Sequence, residues 1–208
     1  MSAEPVVYVI DDDASFRKAV SRLLRAAGLV VETLASAQEF LERPVVDQPS
    51  CLVLDIRMPG PSGMDLQDTL QEAQREIPIV FVTGHGDVST GVRAMKGGAV
   101  DFLEKPFRSR DLLACVQRGL ARSQQSRVEG AERAAAERRF ATLTLRERDV
   151  LRLVVTGMLN KQIASELSIA VKTVKIHRGH VTRKMEADSV AELIQMMGKL
   201  GPPGSQFR

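Results

Sequence analysis

Residues 52–60 read Leu-Val-Leu-Asp-Ile-Arg-Met-Pro-Gly. They include most of an apolar run that begins at Cys51 and ends at Asp55. Uninterrupted aliphatic and β-branched residues are typical of a strand that is buried on both faces. Strands of this kind occur in parallel sheets whose faces are covered by helices. The stretch therefore predicts an α/β sheet with a carboxylate at the end of one strand.

Similar short runs occur on both sides of this stretch, and helical patterns separate them. The strand candidates are Cys51–Asp55 together with Val6–Ile10, Val30–Leu34, Ile79–Thr83 and Asp101–Glu104. The helix candidates are 16–27, Ala37–Glu42, Met64–Glu76, Val88–Gly97 and Ser109–Arg122. Because strands and helices alternate, we expect a parallel sheet with helices on both faces over residues 1–122.

Polar residues follow four of these strands. Asp11–Asp13, Asp55, Thr83 and Lys105 stand where strands end, and the carboxyl ends of parallel strands share one edge of the sheet. Neighbouring carboxylates repel unless a cation compensates them, and oxygen ligands without histidine favour Mg²⁺. A carboxylate beside Mg²⁺ can accept a phosphoryl group, whose oxygens a lysine and a threonine hydroxyl can bind.

Each of these residues also has an ordinary structural explanation. Taken alone, the triple aspartate is a loop or a helix cap, Thr83 is a strand-end hydroxyl and Lys105 is a surface cation. Their joint occurrence at four strand ends favours the functional interpretation.

The charge of the chain is unevenly distributed. Residues 1–122 hold 14 Lys and Arg against 17 Asp and Glu, a net −3, whereas residues 123–208 hold 15 against 9, a net +6. A basic half suits a polyanion such as nucleic acid, although a solvated basic surface is equally compatible with the charge alone.

The basic half has the pattern of a helix-turn-helix. Thr144 and Glu147 form a capping box for a helix to about Val155, Asn160 can cap a helix over Lys161–Leu167, and a third helix runs from about Val171 to Met185. Val174, Val181 and either Ile176 or His177 can pack inward in the third helix. Its basic residues lie largely on other faces: Lys172, Lys175, Arg178, Arg183 and Lys184. The pattern favours major-groove recognition, with a generic helical bundle as the alternative.

Residues 123–140 predict a partly helical linker. Alanine and long polar residues favour a helix, Gly130 permits a bend, and there are too few apolar residues for a separate core. We therefore expect domains at 1–122 and 141–208, joined by this linker.

The remaining composition excludes several classes of protein. The two cysteines, Cys51 and Cys115, are too few for a disulfide framework, and both stand among apolar residues, so we expect buried thiols in a reducing compartment. There is no run of about 20 apolar residues and no secretory signal, so we expect a cytoplasmic protein without a membrane span.

Four motifs of the first half resemble the receiver domain of two-component response regulators. They are Val9–Asp13, Leu52–Gly60, 80–86 (Val-Phe-Val-Thr-Gly-His-Gly) and Asp101–Phe107, and the resemblance covers about residues 5–122. It implies a CheY-like, doubly wound five-stranded parallel sheet and a sensor histidine kinase as the phosphoryl donor.

The resemblance also implies roles for individual residues. Asp55 would accept the phosphoryl group, and Mg²⁺ would bind to Asp12, Asp55 and the backbone carbonyl of Arg57, with Asp11 acting through a water. Thr83 and Lys105 would hold the phosphoryl oxygens. Further roles are a switch at Thr83 and Phe102, a dimer contact through Val92 and Lys96, and an effect of Arg57 and His85 on phosphoryl lifetime.

Residues 141–200 resemble the DNA-binding domain of LuxR-type regulators. The matching stretches are Leu143–Arg148, Gly157–Ala164 and Thr173–His177. The resemblance implies a fourth helix at about Ser189–Met197 that can dimerise. It implies phosphate contacts from Lys161 and Thr173, base contacts from Lys175 and Ile176, and a packing or phosphate role for His177. The sequence departs from the family at two positions: Gly179 offers no side chain to DNA, and Ala170 stands at the expected helix cap. Recognition would therefore rely more on Arg178 and on ordering induced by DNA. Lys172 belongs to the expected DNA-binding surface.

Together the two resemblances identify a response regulator of the FixJ/NarL class, most like FixJ. The expected function is phosphorylation-dependent transcription regulation rather than enzymatic turnover, with promoter DNA, a histidine kinase, RNA polymerase and a second copy of the chain as partners. One alternative is a phosphorylation-independent DNA binder with a degenerate receiver. The other is an aspartate-nucleophile phosphohydrolase, which would require a second aspartate where Arg57 stands.

Overall fold

Five parallel strands form a single sheet in the order β2-β1-β3-β4-β5. The computed structural model describes residues 4–44, 47–84 and 88–200. The strands are β1 (Val6–Ile10), β2 (Val30–Leu34), β3 (Ser50–Asp55), β4 (Ile79–Thr83) and β5 (Asp101–Glu104). The predicted doubly wound parallel sheet is confirmed, and four of the five predicted strand ranges agree residue for residue.

The two faces of the sheet carry separate apolar cores because neighbouring side chains of a strand point to opposite sides. In β1, Val6, Tyr8 and Ile10 belong to one core, and Val7 and Val9 belong to the other. Helices cover both cores, so the side chains of β1 are buried along its whole length. The continuous apolar runs of the sequence are the direct result.

Five helices begin in the first unit: α1 (Ala14–Ala26), α2 (Ala37–Leu41), α3 (Gly63–Glu72), α4 (Val88–Lys96) and α5 (Ser109–Ala141). Helix α3 is shorter than predicted, since the sequence pattern continued to Glu76. Gln74 adopts a left-handed backbone with φ of 53°, and the Arg75 N–H donates to the Leu70 carbonyl oxygen. This local turn ends α3 before Pro78.

The chain divides into two compact units, Met1–Arg127 and Val128–Arg208, and α5 contributes residues to both. Residues 123–140 are helical throughout, and the helix passes through Gly130 without interruption. The domain limits 1–122, 123–140 and 141–208 remain a prediction.

The second unit packs its helices around one core. After the end of α5 come α6 (Leu145–Val155), α7 (Asn160–Glu166), α8 (Val171–Met185) and α9 (Val190–Lys199). Val150, Ile163, Val174 and Met185 are fully buried at its centre. Four residues separate α7 from α8, as expected for a helix-turn-helix.

Two expectations from composition concern the described residues. Cys51 and Cys115 are both buried and free, as predicted. Within the described ranges, no helix is both long enough and apolar enough to cross a bilayer.

Candidate functional site

The carboxyl edge of the sheet collects the predicted polar residues because the strands end in register. Ile10 lies opposite Leu54, so Asp11 follows β1 beside Asp55 at the end of β3. Thr83 ends β4, and its carbonyl oxygen accepts a 2.7 Å hydrogen bond from the Lys105 N–H. We call Asp11, Asp12, Asp55, Thr83 and Lys105 the acidic edge.

Three carboxylates of the acidic edge form one cluster. One oxygen from each of Asp11, Asp12 and Asp55 lies within 4.8 Å of the other two. The Lys105 Nζ lies 2.6 Å from Asp11 Oδ2 and 3.6 Å from Asp55 Oδ1. Asp11 Oδ1 accepts from the Asp13 N–H at 2.8 Å. One lysine therefore faces several acidic groups, and the cluster keeps an excess of negative charge.

Asp55 is a buried carboxylate whose hydrogen bonding is incomplete. Its side chain is only 8% exposed, and within the described part of the chain its Oδ1 has no hydrogen-bond partner. Burial raises the pKa of Asp55 above its ordinary value, and the charge of Asp11 adds to this effect, although Lys105 and the Ile56 N–H act in the opposite direction. A buried oxygen without a partner is costly, so this carboxylate is poised to bind a cation or to react.

Thr83 is also buried, with 1% of its surface exposed. Thr83 stands opposite Glu104 of β5, and Glu104 directly precedes Lys105 in the chain. The fold thus brings together Asp11, Asp12, Asp55, Thr83 and Lys105 from widely separated parts of the chain. The Arg57 side chain is exposed, and the predicted role of its carbonyl oxygen stays a prediction. His85 lies outside the described residues.

Gly63 is a residue of this edge that sequence reasoning missed. A Cβ on Gly63 would lie 2.2 Å from the Asp55 carbonyl oxygen, and the Gly63 N–H donates to the Ile56 carbonyl oxygen at 3.0 Å. Only glycine lets the start of α3 approach β3 this closely. The turn-rich sequence Pro59–Gly63 signalled a loop, but not this contact.

The predicted switch residue Phe102 lies in β5 against α4. A Cβ on Gly91 would be 3.7 Å from the Phe102 ring, which is ordinary van der Waals distance. On the same helix, Val92 and Lys96 are exposed, as is Met95, which the sequence analysis had not singled out. The exposed side chains are compatible with the predicted dimer contact, which stays a prediction.

The predicted DNA-reading residues lie on α8 and at the start of α7. Lys161, Lys172 and Lys175 are exposed, and Ile176 keeps 49% of its surface accessible. Of the two inward candidates it is therefore His177, partly buried, that faces the core side. Thr173 and Arg178 are partly exposed. Val174 and Val181 are buried, so α8 has one face in the core and one basic face.

The start of α7 differs from the prediction. Leu159, not Asn160, occupies the cap position, and Gln162 Oε1 accepts from the Leu159 N–H at 2.7 Å. Asn160 is the first residue of α7, and its Oδ1 accepts a 2.6 Å hydrogen bond from Arg178 Nη1. The asparagine thus links α7 to α8 instead of capping its own helix. Ala170 does occupy the cap of α8, as expected, and provides no side-chain hydrogen bond.

Lys184 is a second correction, because the sequence pattern placed it among the residues that face away from the core. Its Nζ lies 2.6 Å from Glu147 Oε2, and the Glu147 carboxylate also accepts from the Thr144 N–H at 2.8 Å. Although burial alone would raise the pKa of Glu147, the hydrogen bonds from Lys184 and Thr144 lower it to about 2. The predicted capping box is confirmed, and Lys184 is its third member.

Comparison with known proteins agrees with both halves of this architecture. The family model described as "Response regulator receiver domain" matches residues 7–117. The model described as "Bacterial regulatory proteins, luxR family" matches residues 141–197. Each half of the chain thus matches the family that its motifs resemble.

Several relatives align with this chain over most of both lengths. Nodulation protein W of Bradyrhizobium diazoefficiens is 48% identical over 200 residues, which cover 96% of this chain and 88% of the relative. Transcriptional regulatory protein FixJ of Azorhizobium caulinodans is 44% identical over 91% of this chain and 90% of its own. The structure of the response regulator StyR is 46% identical, with a TM-score of 0.83 over 95% of this chain and all of that one. The chain therefore belongs to the response regulators that join a receiver domain to a LuxR-family DNA-binding domain.

Proposed function

We propose that phosphorylation of Asp55 by a sensor histidine kinase controls the binding of this chain to promoter DNA. The observation that carries the proposal is the partly unsatisfied Asp55 carboxylate, which is buried at the sheet edge beside Asp11 and 3.6 Å from the Lys105 ammonium. A carboxylate that is short of hydrogen bonds and accompanied by a lysine suits a nucleophile that must receive a highly charged group.

Mg²⁺ is the proposed cofactor, and the donor set fits it. The clustered carboxylates of Asp11, Asp12 and Asp55 offer hard oxygen ligands. Asp55 Oδ1, which has no hydrogen-bond partner among the described residues, is available to coordinate the ion. Asp12, Asp55 and the Arg57 carbonyl would hold the ion, and Asp11 would act through a water. When bound, Mg²⁺ neutralises charge on the incoming phosphoryl oxygens.

Thr83 and Lys105 would bind the oxygens of the phosphoryl group. Lys105 Nζ is already 3.6 Å from Asp55, so a small movement away from Asp11 brings it to a phosphoryl oxygen. A phosphoryl group adds negative charge and several strong hydrogen-bond acceptors, which would draw the Lys105 ammonium away from Asp11 and toward the phosphoryl oxygens.

The switch would pass from Thr83 to Phe102 and α4. Movement of Thr83 toward the phosphoryl group opens space that the Phe102 ring can fill, which changes the packing against Gly91. Phenylalanine has no hydroxyl, so packing alone would report the change. Val92 and Lys96 would then contact a second copy of the chain.

The output would be a dimer on paired half-sites of promoter DNA. Exposed cations support contact with phosphates, and the exposed Ile176 can touch a thymine methyl group. The residues proposed to contact DNA are Lys161, Lys172, Thr173, Lys175, Ile176, His177 and Arg178. RNA polymerase would be a further partner, and the proposed location is the cytoplasm, where promoter DNA and the kinase's phosphoryl-donating domain are found.

We also propose that the chain is not a turnover enzyme. A phosphohydrolase that uses Asp55 would require a second acid two residues later, and an exposed Arg57 stands there. A regulator that ignores phosphorylation is the other alternative, and the assembled acidic edge argues against it.

The first experiment is phosphotransfer to the full chain from acetyl phosphate with Mg²⁺, followed by mass spectrometry. We expect one phosphoryl group on Asp55 and none in Asp55→Asn. The control is Asp68→Asn, which removes an exposed carboxylate of α3 that pairs with Arg93 and should label normally. Labelling that persists in Asp55→Asn would refute the assignment, and sustained phosphate release would favour the hydrolase.

The second experiment measures DNA affinity against salt concentration with and without phosphorylation. Log affinity should fall with log salt, at a slope of about −0.9 for each phosphate contacted. Lys161→Ala should reduce the magnitude of the slope by about 1. Lys199 pairs with Glu132, so Lys199→Ala should leave the slope unchanged. Equal affinity in both states would favour the phosphorylation-independent alternative.

A further inference from the structure

We propose that Phe16 is a positioning residue for Lys105 and that its ring face holds the ammonium beside Asp55. The Lys105 Nζ lies 3.8 Å from the centroid of the Phe16 ring. The same nitrogen contacts Asp11 Oδ2 at 2.6 Å and approaches Asp55 Oδ1 at 3.6 Å. The ammonium is therefore confined between an aromatic face and the two carboxylates. The inference rests on the proposed function, in which Lys105 serves the phosphoryl group.

The start of α1 holds the backbone of Phe16 in place. Asp13 caps the helix, and its Oδ1 accepts from the Phe16 N–H at 3.3 Å. Arg17 Nη1 donates to the Asp11 carbonyl oxygen at 2.6 Å, which ties the first turn of α1 to the end of β1. The backbone of Phe16 is thus fixed to the strand that supplies Asp11.

A second aromatic ring packs against Phe16. Phe107 meets Phe16 edge to face, with centroids 6.0 Å apart and planes at 87°. The two rings border an apolar groove of about 490 Å³ that Leu23 and Pro106 also line. Packing therefore limits the orientation of the ring that faces Lys105.

An aromatic face suits this task better than a further carboxylate. Lysine has a flexible stem and three N–H donors, and the Lys105 side chain is 23% exposed, so it needs a constraint. The ring attracts the cation through its quadrupole but accepts no conventional hydrogen bond. The ring therefore does not compete with Asp11, or with a phosphoryl oxygen, as a strong hydrogen-bond acceptor for the ammonium. An acid at position 16 would instead compete with the phosphoryl group for the lysine.

The test replaces Phe16 in the full chain with phenylalanines that carry one, two and three ring fluorines. Fluorination weakens the negative ring face with little change in shape. We expect the rate of Asp55 phosphorylation by acetyl phosphate to fall stepwise, while the unfolding midpoint stays constant. Phe16→Leu should lower the rate roughly threefold to tenfold. Phe16→Trp keeps an aromatic face and should be phosphorylated at about the wild-type rate.

The matched control places the same fluorinated residues at Phe107, which borders the same groove but is not the ring that the Lys105 ammonium faces; there we expect no stepwise change. An NMR measurement provides a readout that is independent of phosphorylation. The ring current of Phe16 should shift the Lys105 ε-methylene protons upfield, and Phe16→Leu should abolish the shift.

Two results would overturn the inference. One is a phosphorylation rate that stays constant across the fluorine series, and the other is an unshifted Lys105 methylene signal in the wild-type chain. Failure of the proposed function looks different, because wild-type Asp55 would then take no label at all, and the inference would fail with it.

Discussion

Each unit of this chain contains a buried carboxylate beside a lysine, but the two sites are built in opposite ways. In the second unit, Glu147 accepts from both Thr144 and Lys184, and its pKa is lowered to about 2. In the first unit, Asp55 keeps an oxygen without a partner, its lysine pairs more closely with Asp11, and its pKa is raised. A carboxylate that is fully hydrogen-bonded stabilises the fold, whereas one left unsatisfied is available for a cation or a reaction.

Acid should reveal the stabilising site first. The pKa of Glu147 is lower in the folded chain than its ordinary 4.5, so the unfolded chain binds the proton more readily. The contribution of Glu147 is therefore complete above about pH 4.5 and is lost as the pH falls toward 2, and it is on the order of 3 kcal/mol. Urea titrations followed by methyl NMR signals of Val150 and Val181 would measure it. Glu147→Gln should flatten this pH dependence, and an unchanged dependence would contradict the interpretation.

Removing the lysine of the stabilising site should cost nearly as much. Lys184→Met leaves the buried Glu147 carboxylate without its lysine, with His180 Nδ1 at 3.4 Å as a remaining basic neighbour, and we expect a loss of about 2–3 kcal/mol in the second unit. The value lies below that for a fully buried pair because the Lys184 side chain is 30% exposed. The neighbouring exposed Arg183→Met serves as the control and should change the free energy of unfolding by less than about 0.5 kcal/mol. Equal effects of the two substitutions would show that the ion pair is unimportant.

Glycine-to-alanine substitutions in the two units should change the free energy of unfolding in opposite directions, because Gly63 lies against the Asp55 backbone and Gly179 has open space. Gly63→Ala forces a Cβ against the Asp55 carbonyl oxygen and should destabilise the first unit by about 1–3 kcal/mol. Gly179→Ala has open space around its Cβ in α8 and should stabilise the second unit by up to about 1 kcal/mol. Urea unfolding of the full chain, with NMR signals from each unit, distinguishes the two. Destabilisation by both would mean that glycine flexibility matters more than the contact.

The smallest expected effect concerns Asp55 itself. Without Mg²⁺, Asp55→Asn removes a desolvated charge next to Asp11 and should stabilise the first unit by about 1 kcal/mol. Asp68→Asn on the exposed face of α3 should have almost no effect. The same urea titration measures both variants. Loss of stability in Asp55→Asn would show that the carboxylate is structural, as Glu147 is.

Local patterns were sufficient for most elements of the fold. The apolar runs predicted the strands because both faces of a covered parallel sheet are buried, and the Thr144–Glu147 spacing predicted a capping box that the structure contains. The end of α3 was missed because the left-handed turn at Gln74 has no glycine or asparagine to announce it. The cap of α7 was missed because Asn160, a good capping residue, bonds instead to Arg178 on another helix.

The sequence by itself determined the class of the fold, the family and the five polar residues at the strand ends. Continuous apolar runs and short motifs are local features, and the alternation of strands and helices together with the rule for parallel strand ends supplies the topology. Only the tertiary structure decided that Gly63 touches Asp55, that Lys184 turns inward to Glu147, and that the Phe16 ring covers Lys105. These contacts join residues from different elements. Their existence depends on distances between side chains and on burial, which no pattern along a single segment encodes.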